Sequence, residues 1–111
     1  MKKIEAIIKP FKVEEVRDAL GEIGIDGMTL SEVKGFPSQE DRAELNGNES
    51  LFDFLPKVKI EVVVADARTE AALEAVIRGA RTAKTGDVKV FVTRVDQAVR
   101  IRTEERNELA I

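Results

Sequence analysis

Apolar positions along this chain repeat with two different periods, and the changes of period divide it into segments. Residues 3–9 alternate, with Ile4, Ala6 and Ile8 on one face and Lys3, Glu5, Ile7 and Lys9 on the other. That pattern predicts a strand, ended by Pro10. From 12 to 24 the apolar positions are Val13, Val16, Ala19, Leu20 and Ile23, the spacing of one helix face. Gly24 and the Asp26-Gly27 pair mark the stop and the turn. A second strand is predicted over 28–36, ending at Gly35-Phe36-Pro37. A third, over 57–64, sets Val58, Ile60, Val62 and Val64 on one face. Asp66 is the expected N-cap of a second helix, whose buried stripe reads as Leu73, Val76, Ile77 and Ala80. A polar turn at 82–87 leads to a fourth strand over 88–95, and 99–102 is long enough to pair briefly as a fifth.

The order is β-α-β, a long unpatterned segment, then β-α-β, within a single domain spanning 1–111. Two such halves predict an α+β fold: a ferredoxin-like β-α-β-β-α-β sandwich with both helices on one face of an antiparallel sheet. Strand four is apolar in both registers, Val90 and Val92 on one side and Phe91 and Val95 on the other. A sheet covered on one side alternates more cleanly, so a second copy of the chain is expected against the other face. Between strands two and three, residues 38–50 hold only Ala43 and Leu45 as apolar side chains. Such a segment does not offset its own ordering entropy, so 38–50 is expected to be mobile alone and to order on a partner.

Composition narrows the chemistry. The chain has no cysteine and no histidine, which removes disulfides, thiolate metal sites and the commonest general base, and lowers the expectation of an enzyme. Eighteen basic and 21 acidic residues are spread along it for a net charge of -3, a pattern unlike a nucleic-acid or membrane-inserting protein. Glu5 and Lys9 interrupt the N-terminal apolar positions, so no export signal is read and the cytoplasm is the expected compartment.

Three places carry candidate binding chemistry. The turn at 82–89 leaves a helix through small residues, with Lys84 and Lys89 adding charge. It reads either as a solvated helix-to-strand connection or as backbone amides offered to an anion. It lacks the second glycine of a P-loop. Arg100 and Arg102 lie two apart and point the same way if extended. They read either as charges blunting an edge strand or as a guanidinium clamp for phosphates. Glu61 shares a strand face with Lys57 and Lys59, as surface charge or as an acceptor for an amine.

The segments MKKIEAIIKPFK (1–12), GMT (27–29), EVKGF (32–36), DFLPKVKIE (53–61), Gly86-Asp87, Lys89 and VRIRT (99–103) resemble, in order, the PII signal proteins of nitrogen regulation. The resemblance covers the chain outside 37–52 and implies a non-enzymatic ferredoxin-like homotrimer. It implies ATP or ADP bound in clefts between subunits, and a protruding loop that docks on a protein partner, an ammonium channel or a metabolic enzyme. It carries Thr82, Gly86, Asp87, Val88 and Lys89 across as the phosphate-binding turn, with Arg100 and Arg102 reaching into a neighbouring subunit's cleft. Thr29 and Glu61 fall near the adenine edge, Ile7 and Val63 against the base, and Gly35 and Phe36 beside the nucleotide. Gln39 and Lys57 take the positions assigned to 2-oxoglutarate, Gln39 also facing a magnesium ion carried by ATP.

The chain departs from the family pattern at several of these positions. Ala83 and Val88 stand where the family usually has glycine, and Pro37-Ser38 replaces Gly-Arg ahead of Gln39. Glu40 and Asp41 turn the loop base acidic. There is no tyrosine, so tyrosine uridylylation is excluded on composition, and Ser50 occupies the position of the family's modified residue. These departures predict weaker discrimination for ATP with 2-oxoglutarate and a relative preference for ADP. Two alternatives keep the fold: a sensor of another small molecule such as bicarbonate or a cyclic nucleotide, and a trimeric interaction module that has lost nucleotide binding. A metal-tolerance trimer is disfavoured without histidine or cysteine.

Overall fold

The alternating segments pair into one sheet in the computed structural model, which describes residues 1–35, 55–83 and 89–111. Among these residues β1 (Lys2–Ile8), β2 (Thr29–Gly35), β3 (Leu55–Val64) and β4 (Val90–Arg94) form a four-stranded sheet of order β2-β3-β1-β4. Every neighbouring pair is antiparallel. Helices α1 (Val13–Glu22) and α2 (Thr69–Ala80) supply the second layer. The fold is the ferredoxin-like α+β sandwich expected from the pattern.

The core follows from the two periods. Ile4, Ala6 and Ile8 of β1 and Ile60, Val62 and Val64 of β3 are buried against Val16, Ala19 and Leu20 of α1. Pro10 opens a short 3-10 turn, Pro10–Lys12, and Lys9 before it is extended, as a residue preceding proline must be. α1 ends in a Schellman motif. Gly24 takes φ +80°, its N–H donates to the Gly21 carbonyl, and the Ile25 N–H donates to the Leu20 carbonyl. Ile25 thereby packs back against the core.

Three expectations are corrected. The buried face of α2 is Ala72, Ala75, Val76 and Gly79, so the expected stripe is rotated and Leu73 and Ala80 lie at its margin. The cause is how near α1 comes: a Cβ added to Gly79 would lie 2.7 Å from Val16 Cα and 2.9 Å from the Glu15 carbonyl oxygen. Only small residues fit at that crossing, so the larger side chains turn to either side. Asp66 makes no cap hydrogen bond and belongs to a 3-10 turn, Asp66–Arg68, ahead of α2. Its carboxylate instead holds the Met1 ammonium at 2.9 Å and Lys2 Nζ at 3.3 Å. Residues 99–102 do not extend the sheet. Val99 bridges Arg106, and residues 101–103 form a turn closed by Glu104 at φ 62°.

Candidate functional site

The sheet face away from the helices is set by register alone. Thr29 pairs with Glu61, Glu61 with Glu5, and Glu5 with Phe91, so these four form one row across all strands. The next row holds Ser31, Lys59 and Ile7. Glu5 and Glu61 are directly opposite, an unfavourable pairing of like charges. Lysines on the flanking rows offset it: Lys59 Nζ lies 3.3 Å from Glu5 and 4.0 Å from Glu61, and Lys3 Nζ lies 3.7 Å from Glu61. Phe91, in the same row, is 49% exposed and Val33 is half-buried, so apolar surface on this face lies uncovered in one copy of the chain.

Among the described residues two grooves border this sheet and share no lining residue. The larger, of about 680 Å³, takes Thr29, Glu61 and Val63 on one wall and Arg68, Glu108 and Ile111 on the other. Its floor is the Gly24–Met28 connection after α1, where the Arg68 guanidinium donates to the Ile23 carbonyl. The smaller, about 220 Å³, lies at the opposite end of β1, between Ile7, Ile77 and Val90, with the cations Lys9, Arg81 and Lys89 around it. Beside it Lys9 Nζ donates to Thr82 Oγ1 at 3.3 Å, tying the end of β1 to the chain leaving α2. Thr29, Glu61 and Val63 thus line one groove and Ile7 and Lys89 the other, with Thr82 beside it, although Ile7 lies only one row from Glu61 on the sheet face.

Gly35 sits at the end of β2 opposite Leu55, and Lys57 opposite Val33. Arg100 and Arg102 do not share an extended strand: Arg100 begins the 101–103 turn and Arg102 lies within it, exposed. Arg100 is engaged by Glu105 at 3.5 Å and by the Ala110 carbonyl at 3.4 Å. The expected roles of Phe36, Gln39, Ser50, Gly86, Asp87 and Val88, and of the 37–54 loop, lie outside the described residues. Among the described residues no cluster of three acidic side chains forms a metal site. Arg68, Lys9 and Glu105 were not singled out by sequence reasoning. Only the Thr103-x-Glu105 spacing directly after the arginine pair offered a signal, and it is weak without the turn.

The layer order and the strand topology define a small ferredoxin-like α+β protein. Comparison with known proteins is specific. The family model for nitrogen regulatory protein P-II matches residues 1–105. Nitrogen regulatory protein P-II of Haemophilus influenzae is 56% identical over 112 residues, covering all of both chains, and that of Cereibacter sphaeroides is 55% identical over the same span. The solved structure of Arabidopsis thaliana PII bound to citrate superposes with a TM-score of 0.83 at 41% identity, over 99% of this chain and 91% of that one. The chain belongs to the nitrogen regulatory protein P-II family.

Proposed function

We propose that this chain binds ATP or ADP in clefts between the subunits of a homotrimer and regulates a protein partner through residues 37–54, without catalytic turnover. The observation that carries this reading is the division of the candidate site. Thr29, Glu61 and Val63 line one groove and Ile7 and Lys89 another, so one copy holds two half-sites that a second copy would complete. Phe91 and the half-buried Ile7 and Val33, on the sheet face without helices, are the apolar surface such a copy would cover. Glu61 accepts from an exocyclic amine, and Lys89, Arg100 and Arg102 supply cations for phosphates. Magnesium enters with the triphosphate, with Gln39 as its side-chain partner and Lys57 as the cation for 2-oxoglutarate.

The partner is a protein of nitrogen metabolism, a membrane transporter such as an ammonium channel or a metabolic enzyme, and the compartment is the cytoplasm. Among the described residues no helix is long and apolar enough to cross a membrane. The test is calorimetric titration with ATP, ADP and cyclic AMP, alongside light scattering. Nucleotide binding by a trimer is expected, and Arg100→Ala or Arg102→Ala should each weaken it by about 1.5–3 kcal/mol, the scale of a charged hydrogen bond. A stable monomer at micromolar concentration, or no affinity for ATP or ADP, would overturn the reading.

A further inference from the structure

A guanidinium offers two forks of N–H donors, one along Nε and Nη2 and one along Nη1 and Nη2. In Arg100 the first fork is taken within the chain. Nε lies 3.5 Å from Glu105 Oε1, and Nη2 donates to the Ala110 carbonyl oxygen at 3.4 Å. Among the described residues nothing takes Nη1. The Glu105 carboxylate is itself fixed: its Oε1 accepts the Thr103 hydroxyl at 2.8 Å, and the Glu105 N–H donates to Thr103 Oγ1 at 3.3 Å. The backbone closes the same turn, with Arg100 N–H donating to the Glu105 carbonyl at 2.9 Å and Glu104 N–H to the Arg100 carbonyl at 2.8 Å. Closing it requires Glu104 at φ 62°, a left-handed conformation that a glutamate adopts at a cost.

We infer that Glu105, locked by Thr103, is a positioning residue that holds Arg100 by one edge and leaves its other fork ready for a phosphate. The inference rests on the proposed nucleotide site. Two effects of Glu105 oppose each other. Its charge partly neutralises the arginine, which weakens attraction for an anion. Its ion pair with Nε restrains rotamer freedom that the ligand would otherwise have to remove. The pair is about half exposed, 50% for Arg100 and 44% for Glu105, so the neutralising field is screened by water and preorganisation dominates.

The test is titration of the full chain with ADP and with ATP, comparing Glu105→Ala, Glu105→Gln and Thr103→Val with wild type. Glu105→Ala should weaken affinity about three- to tenfold, the scale of immobilising one long side chain. Glu105→Gln keeps an acceptor for Nε and should retain most of the affinity, and Thr103→Val should fall between. In an Arg100→Lys background, which keeps charge but has no Nε–Nη2 fork, Glu105→Ala should change affinity less than twofold. Tighter binding by Glu105→Ala would make the carboxylate a competitor, and an undiminished loss in the Arg100→Lys background would make it only a staple of the turn. Either result, or no change at all, overturns the inference. Failure of the wild type to bind either nucleotide would instead overturn the proposed function on which it rests.

Discussion

Gly79→Ala is the substitution whose cost is most directly legible in the geometry. The added methyl would stand 2.7 Å from Val16 Cα, 2.9 Å from the Val16 nitrogen and 2.9 Å from the Glu15 carbonyl oxygen. Ordinary contact between such atoms is about 3.5–4.0 Å, so each overlap approaches 1 Å. All three neighbours are backbone, so no side chain can swing aside and the helices must part. Overpacking of this kind costs about 1–3 kcal/mol. Alanine returns about 0.8–1 kcal/mol of helix propensity. Because the clash is with rigid backbone, the upper half of the overpacking range applies, and a net loss of about 1–2 kcal/mol is expected. Gly21→Ala is the control, since its added Cβ meets nothing within 4 Å and its backbone is not left-handed. That change should stabilise by about 0.5–1 kcal/mol through propensity alone. Urea unfolding of both variants at one fixed protein concentration reads the difference, the concentration being held because assembly contributes to stability. Gly79→Ala as stable as wild type, or more so, would refute the close crossing as the reason small residues face inward on α2.

Other expectations concern charge and ligand. The Asp66 carboxyl is held below its ordinary value of 3.8, first by the hydrogen bond from the Met1 ammonium and then by Lys2. A lowered folded pKa stabilises above the unfolded value and is lost as pH falls through the folded one, so wild type should exceed Asp66→Asn in thermal midpoint at pH 6 and converge with it below pH 3.8. Lys59→Met leaves Glu5 opposite Glu61 with one less cation, and should cost up to about 1 kcal/mol, diminishing at high salt in parallel melts. With saturating 2-oxoglutarate and magnesium, ADP should compete with ATP better than in relatives that carry Gly-Arg in place of Pro37-Ser38. An ATP site at least about tenfold tighter, a free-energy gap of about 1.4 kcal/mol, would show those substitutions to be tolerated.

Which side of β1, β3 and α1 is buried was legible from the chain alone. Ile4, Ala6, Ile8, Ile60, Val62 and Val64 alternate, Val16, Ala19 and Leu20 fall at helical spacing, and all are buried. The reason is local: each side chain's preference for leaving water is its own, and strand or helix geometry converts position directly into face. What depended on two distant residues was not legible. The inward face of α2 was set by Gly79 meeting the backbone of α1 more than sixty residues earlier, which no period within α2 records. Asp66 found the Met1 ammonium and Lys2 instead of capping its own helix, because an ion pair within reach outcompetes a local hydrogen bond. Thr29 faces Glu61 only through the register of β2 on β3. Arg100 and Arg102 do not share an extended strand because residues 101–103 turn, and that turn is held by hydrogen bonds among Arg100, Glu104 and Glu105 that no local periodicity records. The sequence named the candidate residues, and the tertiary structure decided which of them stand together in one copy, because proximity is fixed by strand register and helix crossing.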